Sequence, residues 1–350
     1  MSVHRRPAGD WEGVRLHIVT GKGGTGKTTL AAAWALALAS DGRRVLLAEC
    51  EGRQGIAKLF DAPPLPYAER KLAVAPGEGM VYGLAIDPEQ ALLEYLEMYY
   101  HLGRAGRVLQ RVGAVDFAAT IAPGLRDVLL TGKVYEATRR RFGEHRPART
   151  AARISVDGKT PADGYVYDAV VLDAPPTGRI ARFLNVNAAV ADLARVGPIN
   201  RQAESIMTLI RSPMTAVHLV TVLEEMPVQE TVDGIAELQR HRIPVGAVVV
   251  NRVRPEVLPS DLLRTAARGR IDTACLQRGL TKLALPAGEE IAARLAEEMT
   301  DAARIGVRQR RLRTVLGETG RPMYQLPESD VDDIARLYVL AAELRAQGVA

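Results

Sequence analysis

The sequence predicts an α/β fold in which a doubly wound, mostly parallel sheet is covered by helices on both faces. Short, continuous apolar segments alternate with helical stretches, a pattern typical of strands that are buried on both sides. A glycine-rich segment also joins the first of these strands to an alanine- and leucine-rich helix over residues 28–40. Because such sheets bind ligands at the carboxyl ends of their strands, we expect the functional site there. The predicted strands occupy residues 16–20, 45–49, 80–86, 167–172, 216–222 and 245–250.

The composition indicates a folded protein with little scope for cysteine or nucleic-acid chemistry. Its 350 residues are 47% hydrophobic and 25% charged, and the net charge of +5 leaves 46 basic residues nearly balanced by 41 acidic ones. This balance argues against a nucleic-acid partner. Cys50 and Cys275 are too few for a zinc site or for arsenite binding through several thiolates. The longest apolar run, residues 30–39, is shorter than the ~20 residues of a membrane span, so we expect a cytoplasmic protein.

The chain reads as one domain over residues 11–350, because it shows neither a repeat of fixed period nor a low-complexity linker. Residues 88–153 have helical spacing and are predicted to form a helical elaboration within it. Its last part, residues 139–153, holds six arginines and one glutamate. We interpret this run as a solvated helix end and loop, with contact to an anionic partner as the alternative.

The segment GKGGTGKT at residues 21–28 matches the phosphate-binding loop, or P-loop, and lies between a strand and a helix as that loop requires. Its glycines let backbone amides surround a β-phosphate, and the helix adds the positive end of its dipole. We expect Lys27 to reach the β- and γ-phosphates, Thr28 to ligate magnesium and Thr29 to donate to the α-phosphate. The fold class is therefore that of P-loop NTPases, with a glycine-rich turn that binds nothing as the alternative. The predicted phosphate-binding residues are Gly21, Gly23, Gly24, Thr25, Gly26, Lys27, Thr28 and Thr29.

Lys22 is a second lysine in the loop, in a chain that has only seven. Neither the loop nor the helix cap requires it. A cation at this position could reach across a dimer interface and stabilise transition-state charge on the partner's nucleotide, as an arginine finger does. A solvated loop lysine is the alternative.

Asp173 directly follows the predicted strand at residues 167–172 and is the candidate carboxylate for the metal. The loop that follows, from Pro175 to Gly178, could register a γ-phosphate through its backbone amides and is the candidate switch. An aspartate that caps the next turn is the alternative.

These motifs resemble the arsenite-pump and tail-anchored-protein-targeting ATPases, a family within the deviant-Walker class of P-loop NTPases. The resemblance rests on residues 21–29 with the signature lysine Lys22 and on residues 173–182 as switch II, with weaker support from residues 123–125, 248–251 and 323–328. It implies ATP and Mg²⁺ as cofactors, and a homodimer or heterodimer whose sites face each other. It also implies that Asn251 lies at the adenine-binding strand end and that Met323 and Pro327 belong to an adenine loop.

Adenine is also favoured by the residues themselves. A common guanine site reads the base with Asn-Lys-x-Asp, whereas here Asn251 is followed by Arg252 and Val253, with Arg254 in place of the carboxylate.

Switch I departs from the family pattern, which has a catalytic aspartate followed by Pro-Ala-His. Glu51 stands at the aspartate position, with Gly52, Arg53 and Gln54 after it. Glu51 is one methylene longer, and a misplacement of ~1 Å at such a position can lower a rate by about 100-fold, so we expect slow hydrolysis. Glu49 would face the same side of an extended backbone and could substitute or compete.

The segments that bind zinc and a client in the targeting branch differ in this sequence. Residues 285–305 contain no cysteine or histidine, which excludes the zinc clamp of the targeting branch, and residues 188–213 contain one methionine where that branch has a methionine-rich groove. The leading hypothesis is a switch ATPase that couples ATP to a protein client. The alternatives are a nucleotide-dependent scaffold with little or no hydrolysis, paired with a related subunit, and a DNA-partitioning ATPase.

Overall fold

The structure is a computed structural model that describes residues 10–100, 124–143, 164–193, 198–256, 258–286, 288–328 and 334–350. Of the predicted helical elaboration, residues 101–123 and 144–153 lie outside the described residues, as does Pro123 of one family motif. The statements below concern the described ranges.

An eight-stranded sheet in the order β3-β4-β2-β5-β1-β6-β7-β8 forms the centre of the fold. Every neighbouring pair is parallel except β3 and β4. The predicted α/β class with a mostly parallel sheet is therefore confirmed. The strands are β1 (Leu16–Gly21), β2 (Arg44–Glu49), β3 (Arg70–Val74), β4 (Met80–Ala85), β5 (Ala169–Asp173), β6 (Thr215–Thr221), β7 (Val245–Val253) and β8 (Met323–Pro327).

Helices cover both faces of this sheet, which separates the two large apolar clusters of the core. On one face, α1 is buried against the sheet and against α11, with Leu30 and Trp34 in the same cluster as Leu337 and Leu344. The other face packs beneath α4 to α7. The helices of the described ranges are α1 (Lys27–Ala39), α2 (Gly55–Leu59), α3 (Pro88–Tyr100), α4 (Leu125–Arg139), α5 (Thr177–Leu193), α6 (Pro198–Ile210), α7 (Glu225–Arg240), α8 (Ser260–Ala267), α9 (Thr273–Lys282), α10 (Glu289–Gly317) and α11 (Ile334–Ala346).

Two strands differ from the sequence-based expectation. The sequence gives no clear signal for β3, an antiparallel edge strand that begins with Arg70 and Lys71 and is mostly exposed. Residues 323–328 were expected to form an adenine loop, but Met323–Pro327 is β8, which pairs in parallel with β7. Its Tyr324 and Leu326 are buried, so the alternation of this segment is that of a strand with one face in the core.

The sheet brings the carboxyl ends of four central strands to one edge. β1 ends at Gly21, β2 at Glu49 and β5 at Asp173, and Asn251 lies near the end of β7. Because these strands are parallel and adjacent or nearly so, the predicted site residues that follow them share this edge.

Candidate functional site

The P-loop connects β1 to α1, and its backbone leaves an amide-lined helix end without a capping group. The N-cap of α1 is Gly26, which makes no side-chain hydrogen bond, and the first turn contains no acidic residue. The backbone φ of Gly26 is 94°, a left-handed conformation that favours glycine. Free amides and the positive end of the helix dipole together suit an anion such as phosphate.

Close packing around the loop fixes its path. A Cβ atom at Gly21 would lie 2.3 Å from the carbonyl oxygen of Val220, so only glycine fits where the loop leaves the sheet. The hydroxyl of Thr25 is turned back into the loop and donates to the carbonyl oxygen of Lys22 at 2.8 Å. Thr25 is therefore a residue that shapes the loop, while Lys27, Thr28 and Thr29 begin α1.

Thr28 and Asp173 come together beside the loop. The Thr28 hydroxyl donates to Oδ2 of Asp173 at 2.7 Å, and the buried Oδ1 of Asp173 has no hydrogen-bond partner among the described residues. Burial raises the pKa of Asp173 to about 6, and the charges of Glu49 and Glu51 act in the same direction, against the Thr28 hydrogen bond and the charge of Lys27.

These residues fit a magnesium ion. Mg²⁺ takes oxygen ligands and is usually held by one or two carboxylates, water and phosphate oxygens, and the unpartnered carboxylate oxygen of Asp173 offers such a ligand beside the Thr28 hydroxyl. A divalent charge would also favour the ionised form of this buried carboxyl group. The described residues contain no group of three or more histidine, cysteine, aspartate or glutamate side chains that could form an all-protein metal cage.

Lys22 forms an ion pair within the chain. Its Nζ lies 2.8 Å from Oε1 of Glu230 on α7, and the two side chains are 32% and 35% exposed. No sequence signal identified Glu230, because it lies more than 200 positions away and meets Lys22 only in the folded chain. Lys22 must leave Glu230 before it can act across an interface.

Switch II is tied to β1 and starts a helix earlier than expected. Thr20 donates from its hydroxyl to the carbonyl oxygen of Pro175 at 2.7 Å, which fixes the turn after β5. Thr177 is already the first residue of α5, and its buried hydroxyl has no partner among the described residues. Thr177 is thus a further polar group at this edge that residue patterns alone did not single out.

The residues of switch I are already engaged in the chain. Glu51 is half-buried, with its Oε2 3.8 Å from Nε of Arg53. Gln54, which aligns with the family's histidine, is held by the backbone of Leu65: it donates to the carbonyl oxygen at 3.2 Å and accepts from the amide at 2.7 Å. Gln54 therefore supports the segment before α2, whereas Glu51 has only the long contact with Arg53.

Of the residues expected to meet adenine, Asn251 contacts the loop itself. Its Nδ2 donates to the carbonyl oxygen of Thr25 at 2.9 Å, and its Oδ1 accepts from the amide of Arg252. Pro327 lies at the carboxyl end of β8, at the loop edge of the sheet. Met323 lies opposite Val248 at the start of β8 and packs on the core, so the structure does not bring it to this edge.

A mostly parallel sheet with this loop after β1 defines a P-loop NTPase. The chain matches the model of the family described as anion-transporting ATPase over residues 14–214. It is 51% identical over 339 residues to ATPase BagA of Mycobacterium tuberculosis, covering 96% of this chain and 94% of that protein. The chain therefore belongs to the anion-transporting ATPase family, and the family resemblance is confirmed.

More distant relatives include proteins named for arsenical pumps. The chain is 25% identical over 288 residues to the arsenical pump-driving ATPase of Acidiphilium multivorum, covering 77% of this chain and 43% of that protein. The corresponding protein of Escherichia coli is 24% identical over 255 residues, covering 68% of this chain and 39% of its own length. Among the described residues, no helix combines the length and the apolar character needed to cross a bilayer.

Proposed function

We propose that this protein is an ATP-binding, magnesium-dependent switch ATPase that works as a dimer, hydrolyses ATP slowly and couples its nucleotide state to a protein client. The observation that carries the proposal is the uncapped start of α1 beside the Thr28–Asp173 pair. This arrangement offers amides for phosphate and oxygen ligands for Mg²⁺ at one point. Family membership supports ATP as the nucleotide.

Each residue of the site has a separate task in this function. The amides of the P-loop hold the phosphates, Lys27 neutralises their charge, and Thr28 and Asp173 hold Mg²⁺, which supplies further neutralisation of the phosphate oxygens. Glu51 orients the attacking water. When two chains meet, Lys22 leaves its ion pair with Glu230 and contacts the phosphates of the partner's nucleotide. Closure of the dimer therefore depends on bound ATP.

Pro175 and Thr177 transmit the state of the γ-phosphate. Thr20 holds the Pro175 carbonyl, so movement of this turn is passed to the start of α5. Arg179 on α5 lies 3.6 Å from Asp127 on α4, a helix within the predicted elaboration over residues 88–153. Nucleotide-dependent movement of switch II would therefore reach α4, where a client surface can be altered.

A scaffold that binds ATP with little hydrolysis is the second candidate. Its support is the state of switch I, where Gln54 is bonded to Leu65 and Glu51 is a glutamate paired with Arg53. In that case a related subunit would supply the intact switch I of a heteromeric pair.

Equilibrium binding and phosphate release separate these functions. We expect purified protein to bind a fluorescent ATP analogue more tightly with Mg²⁺ than with EDTA, and Lys27→Ala to abolish most of that binding. Steady phosphate release above the Lys27→Ala background supports the switch ATPase, whereas binding without release supports the scaffold. If the native protein binds no purine triphosphate with Mg²⁺, both functions are wrong.

A further inference from the structure

Glu49 is a buried carboxylate beside the metal-binding residues that the proposed function leaves without a task. It is the last residue of β2 and pairs in register with Asp173, the last residue of β5. Glu49 is 2% exposed. Two carboxylates on neighbouring strand ends, both removed from water, repel each other unless a cation lies between them.

The two oxygens of Glu49 have different surroundings. Oε2 accepts a hydrogen bond from the backbone amide of Ile56 at 3.3 Å. Oε1 is buried and has no partner among the described residues, as is also true of Oδ1 of Asp173. Buried carboxylate oxygens are normally satisfied, so two unpartnered oxygens on paired strand ends point to a ligand that both would contact.

The start of α2 packs onto the same point. A Cβ atom at Gly55 would lie 3.2 Å from Cγ2 and 3.8 Å from Oγ1 of Thr28, so Gly55 lies directly against this side chain. Ile56, the next residue, is held by Glu49. Glu49 thus accepts a hydrogen bond from the switch I segment with one oxygen and leaves the other unpartnered on the strand end beside Asp173.

We propose that Glu49 is the second carboxylate of the magnesium site and that it links the bound ion to the start of α2. The inference rests on the proposed function, since the ion arrives with ATP. Oxygen ligands, a buried position and an excess of negative charge beside one lysine are what a hard divalent cation requires. Glu49 thereby couples metal loading to switch I through the Ile56 amide, independently of the water-orienting task of Glu51.

The test compares ATP binding with and without metal in Glu49→Gln. Glutamine retains an oxygen that can accept from Ile56, so the variant removes the charge and keeps the hydrogen bond. We expect affinity for a fluorescent ATP analogue in EDTA to stay at the wild-type value, and the tightening caused by Mg²⁺ to fall by about tenfold or more. Glu318→Gln, at an exposed carboxylate that follows α10, is the matched control, in which the affinity in EDTA and the Mg²⁺ effect should both stay at the wild-type values.

A second measurement uses the wild-type protein and therefore does not depend on whether the variant folds. Fe²⁺ replaces Mg²⁺ with ATP in the native protein, and ascorbate with peroxide then cleaves the backbone near the metal. We expect cuts at residues 49–50 as well as at 173–174. An unchanged Mg²⁺ effect in folded Glu49→Gln, or cuts at 173–174 without cuts at 49–50, would overturn the role of Glu49. Absence of ATP binding by the wild type in both conditions would instead overturn the proposed function.

Discussion

Asn251 of β7 donates its side-chain amide to the carbonyl oxygen of Thr25, 2.9 Å away and 226 positions earlier in the chain. A Cβ atom at Gly26 would lie 2.3 Å from the same amide nitrogen, so the loop and the strand end are in direct contact. The residue expected to recognise adenine therefore also holds the P-loop in place.

This contact makes Asn251→Ala a test of loop support. We expect a loss of about 1–3 kcal/mol in the free energy of unfolding, because a buried carbonyl oxygen loses its donor. ATP affinity should fall as well, since the loop is no longer fixed before phosphate arrives. Chemical denaturation and analogue binding measure the two effects. Asn251→Asp should bind ATP more weakly still, because it places a carboxylate against the Thr25 carbonyl; equal affinity of both variants would contradict this account.

Release of Lys22 from Glu230 should promote dimer formation. Glu230→Gln removes a half-exposed ion pair, so we expect a change of less than about 1 kcal/mol in the free energy of unfolding. Sedimentation with Mg²⁺ and a non-hydrolysable ATP analogue should show a larger dimer fraction than in the wild type. Lys22→Ala is the control, in which ATP still binds but this increase does not occur. A dimer fraction insensitive to both substitutions would refute a role for Lys22 at an interface.

Shortening Glu51 should accelerate hydrolysis. Aspartate restores the side-chain length of the family's catalytic residue, and correction of a ~1 Å misplacement can recover up to about 100-fold in rate. We expect Glu51→Asp to release phosphate at least about tenfold faster than the wild type, with Mg²⁺-dependent ATP affinity unchanged. The rate of phosphate release by Glu51→Gln should fall to the background rate of Lys27→Ala. A slower Glu51→Asp would show that the native glutamate is already well placed.

The buried histidine pair should make the fold sensitive to acid. His17 Nδ1 lies 3.1 Å from His218 Nε2, and Trp34 donates to His17 at 3.2 Å. Burial lowers the pKa of His17 from 6.5 to about 3 and that of His218 well below 6.5. The native state therefore binds fewer protons than the unfolded state below pH 6.5. The contribution of the neutral histidines to the free energy of unfolding is complete above pH 6.5 and is lost as the pH falls towards 3.

A comparison with His17→Asn isolates this effect from other titrating groups. The difference in unfolding free energy between wild type and variant should shrink by about 2 kcal/mol between roughly pH 7.5 and pH 5, because the variant has lost one imidazole. Denaturant titrations at both pH values measure it. Asn187→Ala, at a fully buried polar side chain that does not titrate, is the control. Its difference in unfolding free energy from the wild type should be the same at both pH values. A constant difference for His17→Asn would mean that protonation of this residue does not oppose folding.

A buried ion pair fastens α4 to the segment before β3. Arg140 donates to Glu69 at 2.5 Å, with side chains 7% and 0% exposed. We expect Arg140→Met to lower the unfolding free energy by about 3–5 kcal/mol, since it leaves a buried carboxylate without this cation. Arg278→Met, at an exposed pair with Asp272, should change it by less than about 1 kcal/mol. Partial recovery of the unfolding free energy when Glu69→Gln is combined with Arg140→Met would confirm that the unpaired Glu69 carboxylate causes the loss. Equal losses in Arg140→Met and Arg278→Met would contradict it.

The sequence predicts the parts of the fold and site that depend on neighbouring residues. The P-loop is predictable because a strand, the segment GKGGTGKT and an alanine-rich helix follow each other directly in the chain. Asp173 is predictable as a site residue because it comes directly after an apolar strand. The sequence does not predict β3, because an exposed edge strand with charged residues has no apolar periodicity. Met323 was assigned to a loop because its strand pairing is visible only in the assembled sheet.

Contacts between residues that are far apart in the chain complete the site, and residue patterns do not predict them. Glu230 meets Lys22 through the packing of α7, and the unpartnered oxygen of Glu49 is recognisable only when neighbouring atoms are in place. Gln54 likewise reads as a substitute for a family histidine, whereas its side chain is held by Leu65. Side-chain partners of this kind follow from tertiary packing and not from residue type.

The burial of α1 beneath α11 has a consequence for biosynthesis. The helix that presents the phosphate amides shares its apolar cluster with Leu337 and Leu344, and Asp10 is bonded through its amide to the carbonyl oxygen of Gly348. A nascent chain on the ribosome exposes Leu30 and Trp34 until this last helix has emerged. The helix that follows the P-loop therefore completes its packing only after α11 has been synthesised, and a chain truncated before α11 should expose the apolar face of α1.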